Sequence, residues 1–138
     1  MILRYIFTYV ATLIAFAGLD SVWIGLFAAP LYRQTLGPMM LESVRVPPAI
    51  LFYLLLIAGI MVFVVPTAPG GQTVAQNFLY GTLFGLFTYA TFDLTNYAII
   101  RSWSLYLTAT DIAWGCFVTG AASSIGIAVG TALARRFS

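Results

Sequence analysis

Between Phe78 and Arg101 the chain reads FLYGTLFGLFTYATFDLTNYAIIR, with no proline and no charge before Asp93. At about 1.5 Å per residue, a helix of this length crosses a hydrocarbon core of roughly 30 Å. Gly81, Gly85, Tyr89, Asp93, Tyr97 and Arg101 recur at every fourth position. Neighbours at that spacing lie along one side of a helix. The two glycines admit a close helix neighbour. A carboxylate within hydrocarbon costs at least about 2.5 kcal/mol, so Asp93 is expected to face a partner or a cavity. The rest of the chain must supply it.

Composition sets the class. Hydrophobic residues are 62% and charged residues 7% of 138. Soluble domains carry about 25% charged residues, so the chain reads as a single integral membrane domain. A net charge of +2 with no basic run speaks against a nucleic-acid partner. With no histidine and one cysteine, Cys116, no zinc, copper or haem site and no cofactor are expected. A carboxylate site for a hard cation stays open.

Four spans are expected, at about 3–29, 49–65, 77–101 and 108–133. The fold class is therefore an all-α four-helix membrane bundle. Arg4, the apolar run and Ala15-Phe16-Ala17 imitate a signal peptide. The run continues past Asp20 to Ala29, as a spanning helix does, and Pro30 is expected to end it. Phe16, Asp20, Trp23 and Phe27 share one face of this first span. Residues 31–46 are too polar to span and read as an interfacial segment broken near Gly37-Pro38. The second span follows Pro47-Pro48, is nearly all apolar and is expected to be the most lipid-exposed, adding nothing polar to a site. On the fourth span, Ala122, Gly126, Gly130 and Ala134 form a small-residue strip. It suits packing on the third span's glycines, or docking a second copy or a membrane enzyme through the Gly126/Gly130 face. Trp103 and Tyr106 suit an interfacial aromatic belt.

Four crossings put both termini on one side. Arg4, Arg135 and Arg136 lie there; Arg33, Arg45 and Arg101 lie on the other. Discounting Arg101 as inward-pointing tips the balance to cytoplasmic termini.

Depth locates the chemistry. Asp20 lies about 15 Å below the Pro30 end of the first span, and Asp93 about 12 Å below Arg101. Asp111 opens the fourth span on the same side. The three aspartates thus share one membrane half, under the 31–46 segment. A polar pocket between the first, third and fourth spans follows, with Trp23, Tyr89, Asn96, Tyr97, Arg101, Asp111 and Trp114 as its lining. Asp20 and Asp93 are the candidate acid/base groups, and Phe16, Phe84, Phe87 and Phe92 suit an apolar tail. Each aspartate has an indole or amide donor three residues on: Trp23, Asn96 and Trp114. Structural readings stand beside these. Asp111 follows Thr108 at capping-box spacing, Asp93 and Arg101 suit an ion pair bridged by Tyr97, and Tyr89 suits packing.

The runs LDSVWIG at 19–25, TYATFDLTNYAIIRSW at 88–103 and TDIAWG at 110–115 resemble a bacterial family of small membrane proteins catalogued as domain of unknown function 2177. The resemblance covers nearly the whole chain. It implies a four-helix inner-membrane protein and, by association, an accessory to fatty-acyl modification. It brings no established activity. The leading expectation is a small bacterial inner-membrane protein that binds a lipid or other lipophilic molecule in the pocket, to act on it or present it to a partner enzyme. The alternatives are a proton-coupled transporter or channel, for which intramembrane carboxylates are typical, and a structural membrane subunit.

Overall fold

The computed structural model describes residues 1–138. It is all helix and turn. The order is α1 (Ile2–Trp23), a π turn (Ile24–Ala28), α2 (Ala29–Leu36), a 3-10 turn (Gly37–Met39), α3 (Val46–Phe63), α4 (Val74–Ile99) and α5 (Leu105–Phe137). Three helical stretches are long and apolar enough to cross a membrane: Ile2–Met39, Val46–Phe63 and Leu105–Phe137. The 26 residues of α4 are long enough but more polar. Two of its polar groups, Asn77 and Asp93, are buried. It lies along α5, and so forms the fourth member of the bundle.

The first expectation to fail is the stop at Pro30. The helix runs on to Leu36 through the π turn, in which Ala29 N–H donates to Ile24 O, one residue further back than in an α-helix. Proline lacks an N–H and its ring presses on the carbonyl four residues back. A wider turn just upstream relieves both problems. It also re-aims a face. Tyr32 is twelve positions after Asp20; on an unbroken α-helix it would point about 120° away, but the extra residue in the turn brings it within about 20°. The segment then reverses at Gly37, whose φ of +57° is a left-handed value that favours glycine.

α5 is the centre of the bundle. On one side, an added Cβ at Gly81 of α4 would lie 2.9 Å from Gly120 Cα, and one at Gly85 would strike Gly115 O and Thr119. On the other, Gly126 and Gly130 of α5 press on Thr12 and Thr8 of α1. The strip on α4 does meet α5, as expected, but through Gly115, Gly120 and Ser123. The Gly126/Gly130 face is covered by α1 of the same chain, so a second copy or partner would have to meet another surface. α3 stands apart: it rests mainly on α1 and barely touches α4. Leu56, Ile57 and Ile60 are its buried face.

Residues 1–4, the 66–73 loop and the end of α5 gather at one end. There Arg4, 3% exposed, donates from Nη2 to Pro66 O at 3.0 Å and Thr67 O at 2.9 Å. The 37–45 loop and the Ile100–Ser104 turn form the opposite end. Trp103 is not a belt residue. It is 6% exposed and meets Tyr32 and Phe92 edge-on. Arg101 lies beyond the end of α4, exposed on the turn. The reason for discounting it in the arginine count therefore disappears, and the count no longer favours either orientation.

Candidate functional site

The buried stripe of α1 repeats every fourth residue: Arg4, Thr8, Thr12, Phe16 and Asp20. It delivers Asp20 to the point where α1 leaves α5 and meets α3. Tyr53 Oη donates to Asp20 Oδ2 at 2.6 Å, and Trp114 Nε1 donates to Asp20 Oδ1 at 3.0 Å. Both oxygens of this buried carboxyl are thereby supplied. The Trp114 ring stacks on Trp23, with centroids 4.8 Å apart and planes 7° from parallel. The Tyr53 bond corrects the expectation that the second span adds nothing polar.

Asp111 sits in the second turn of α5, because the helix starts at Leu105 and its cap is Ser104, whose Oγ accepts from Leu107 N at 3.0 Å. The capping role considered for Asp111 thus belongs to Ser104. Asp111 is 7% exposed and accepts from Tyr32 Oη at 3.4 Å. Asp93 of α4 is fully buried against Asp111, and neither of its oxygens has a donor. No ion pair with Arg101 forms, since α4 ends at Ile99 and the strip has no helix left to carry Arg101 inward. Asp20 and Asp111 thus border one cavity with Tyr32, and Asp93 lies against Asp111.

Above them opens a cavity of about 530 Å³. Asp20 and Asp111 lie at its floor. Trp23, Ile24, Ala28 and Tyr32 form one wall, Phe52 and Leu56 of α3 a second, and Thr88, Tyr89 and Phe92 of α4 a third. Met40, Leu41, Glu42 and Val44 drape over the mouth beside Arg33. The segment before α3 thus serves as a cover. The cavity lies between α1–α2, α3 and α4, with α5 contributing Asp111.

The anticipated lining divides. Asp20, Trp23, Tyr89 and Asp111 border the cavity. Tyr89 also packs, its ring lying flat on Gly115. Trp114 acts from behind, through Asp20. Asn96, Tyr97 and Arg101 do not border it. Tyr97 is 44% exposed. Of the apolar residues, only Phe92 lines the cavity. Phe16 is buried in the core, Phe84 meets Gly59, and Phe87 is exposed. Sequence reasoning missed Tyr32, Tyr53 and Phe52. Tyr32 is hidden by the stop expected at Pro30, and Tyr53 is a lone hydroxyl in an apolar run.

Chemically, Asp20 accepts a hydrogen bond at each oxygen. Asp111 is the carboxyl that meets the cavity with an incomplete set of donors. Asp93 stands behind it, and two carboxyls in contact can hold one proton between them.

Residues 5–128 match the model of a family described as "Predicted membrane protein (DUF2177)". The chain belongs to this family. Searches of curated proteins and of solved structures return no match. Membership of DUF2177 makes the chain a multi-pass membrane protein, in agreement with its spans. The match takes in every cavity residue named above.

Proposed function

We propose that this DUF2177 protein holds a lipid or other amphiphilic molecule of the bacterial inner membrane, its polar end at Asp20 and Asp111 and its chain against Phe52, Leu56 and Phe92. The observation that carries this reading is the cavity itself: about 530 Å³, with apolar walls over a floor of carboxyls. Ligand cavities combine apolar lining with a few convergent polar groups, and volumes of roughly 300–1,000 Å³ are usual. Both Asp20 oxygens are engaged, which favours binding and presentation to a partner enzyme over acid–base turnover at that residue.

The closed half of the bundle bears on the transporter alternative. Beneath the floor, Phe16, Val118, Thr119, Ala122 and Ser123 are all 0% exposed, and glycine backbone presses on the hydroxyls there. This favours a blind pocket over a path through the membrane.

A photoreactive alkyl amphiphile, crosslinked to the protein in membranes and mapped by peptide mass spectrometry, tests the reading. Labels on Val44, Leu56 and Phe92 are expected. Labels confined to lipid-facing Leu55, Phe63 and Ile99 would overturn it.

A further inference from the structure

The floor of the cavity is short of hydrogen-bond donors. Asp20 has one for each oxygen, from Tyr53 and Trp114. Beyond a proton held between themselves, Asp93 and Asp111 have one donor, the Tyr32 hydroxyl at 3.4 Å from Asp111, which is long for O–H···O. Asp93 is 0% exposed with both oxygens unpartnered. Buried carboxyls without donors are rare in folded proteins, and each has a reason. Asp111 is the member of the pair that borders the cavity, so a donor arriving there meets Asp111.

No arginine of the chain bonds Asp93 or Asp111. The chain contains no lysine. Arg33 is exposed at the mouth, where Glu42 offsets it. Arg45 and Arg101 are exposed at the same end and do not border the cavity, and Arg4, Arg135 and Arg136 are at the other end of the bundle. Two further donors stand on the wall, Trp23 Nε1, buried without a partner, and the Tyr89 hydroxyl, and neither bonds a carboxyl. Aromatic rings surround the floor, and their faces attract a cation. A carboxylate or phosphate head would bring a further negative charge to three carboxyls. A hydroxyl head would bring one donor and no charge. A protonated amine brings three donors and the missing charge.

Building on the amphiphile reading, we propose that the polar end of the ligand is a protonated amine, which donates to Asp111 and is framed by Trp23, Tyr32 and Tyr89.

The test uses the full chain in phosphatidylcholine nanodiscs at neutral pH, with tryptophan fluorescence as the readout. Three probes share one tail: dodecylamine, dodecanol and dodecanoate. Dodecylamine is expected to bind about tenfold or more tighter than dodecanol, with dodecanoate weakest, since a hydrogen bond to a charged group is worth about 1.5–3 kcal/mol. Asp111→Asn is expected to remove that preference, so that dodecylamine and dodecanol bind alike. If Asp111→Asn does not fold, Asp93→Asn takes its place, with a smaller loss of the same preference. Dodecanoate binding as tightly as dodecylamine, or an amine preference that survives in the folded variant, overturns the amine assignment and leaves the amphiphile reading intact. If no probe binds saturably, the amphiphile reading itself falls.

Discussion

α5 and α3 solve the same problem in opposite ways. α5 meets its neighbours through glycine: Gly115 and Gly120 face α4, and Gly126 and Gly130 face α1. No side chain keeps those backbones apart, and that half of the bundle closes. α3 meets α1 through bulky groups, with Ile57 and Ile60 fully buried and Tyr53 reaching across to Asp20. It is held at a distance, and the gap beside it is the cavity. Within hydrocarbon, helices gain little from burying apolar surface against each other, so close contact depends on small residues. Where the small residues end, an opening begins.

The comparison can be broken at the closed side first. Gly126→Leu would drive a side chain into Thr12 of α1. Overpacking typically costs about 1–3 kcal/mol and here has backbone to displace, so folded protein should be lost or its Tm should fall furthest of all variants. A Gly126→Leu protein that melts like wild type would show that the contact with α1 is not tight. Next in size is Tyr53→Phe on the open side. It removes a donor from a buried carboxyl, and a loss of about 2 kcal/mol is expected in a detergent melting curve. No loss would mean that α3 is not anchored through Asp20.

Asp93→Asn sharpens the contrast in the other direction. Arg101 is exposed and away from Asp93, so losing the charge strands no cation. The amide offers Asp111 the donor it lacks, and stability should hold or rise by about 1 kcal/mol. A marked fall in Tm would reveal a cationic partner for Asp93. The smallest effect is expected for Leu55→Ala on the lipid face of α3. Leu55 is 62% exposed, so a shift within about 0.5 kcal/mol is expected, and a large one would place a partner on that face.

The sequence made the class and the clustering of carboxyls legible for simple reasons. Long apolar runs have few folds open to them in a bilayer, and a fixed rise per residue turns sequence distance into depth. That is how Asp20, Asp93 and Asp111 could be assigned to one half of the membrane. The stripe from Arg4 through Thr8, Thr12 and Phe16 to Asp20 was also readable, at the spacing used for α4, and would have shown which face of α1 meets α5. Other features depended on backbone detail. A proline normally ends a helix, and nothing in IGLFAAP announces a π turn that carries the helix past it and turns Tyr32 inward. The strip on α4 was projected two residues beyond the last helical residue, Ile99, which placed Arg101 in a site it does not reach. Tyr53 is one hydroxyl in an apolar helix, and only the position of α3 shows that it bonds Asp20.

Native mass spectrometry of the purified protein, wild type beside Ala28→Phe, tests the central claim most directly. Ala28 is 7% exposed and borders the cavity, so phenylalanine there fills the space without adding charge. Wild-type protein should retain one amphiphile per chain after delipidation, and Ala28→Phe should retain none while keeping its Tm. Equal retention by the two proteins would contradict the cavity as the binding site.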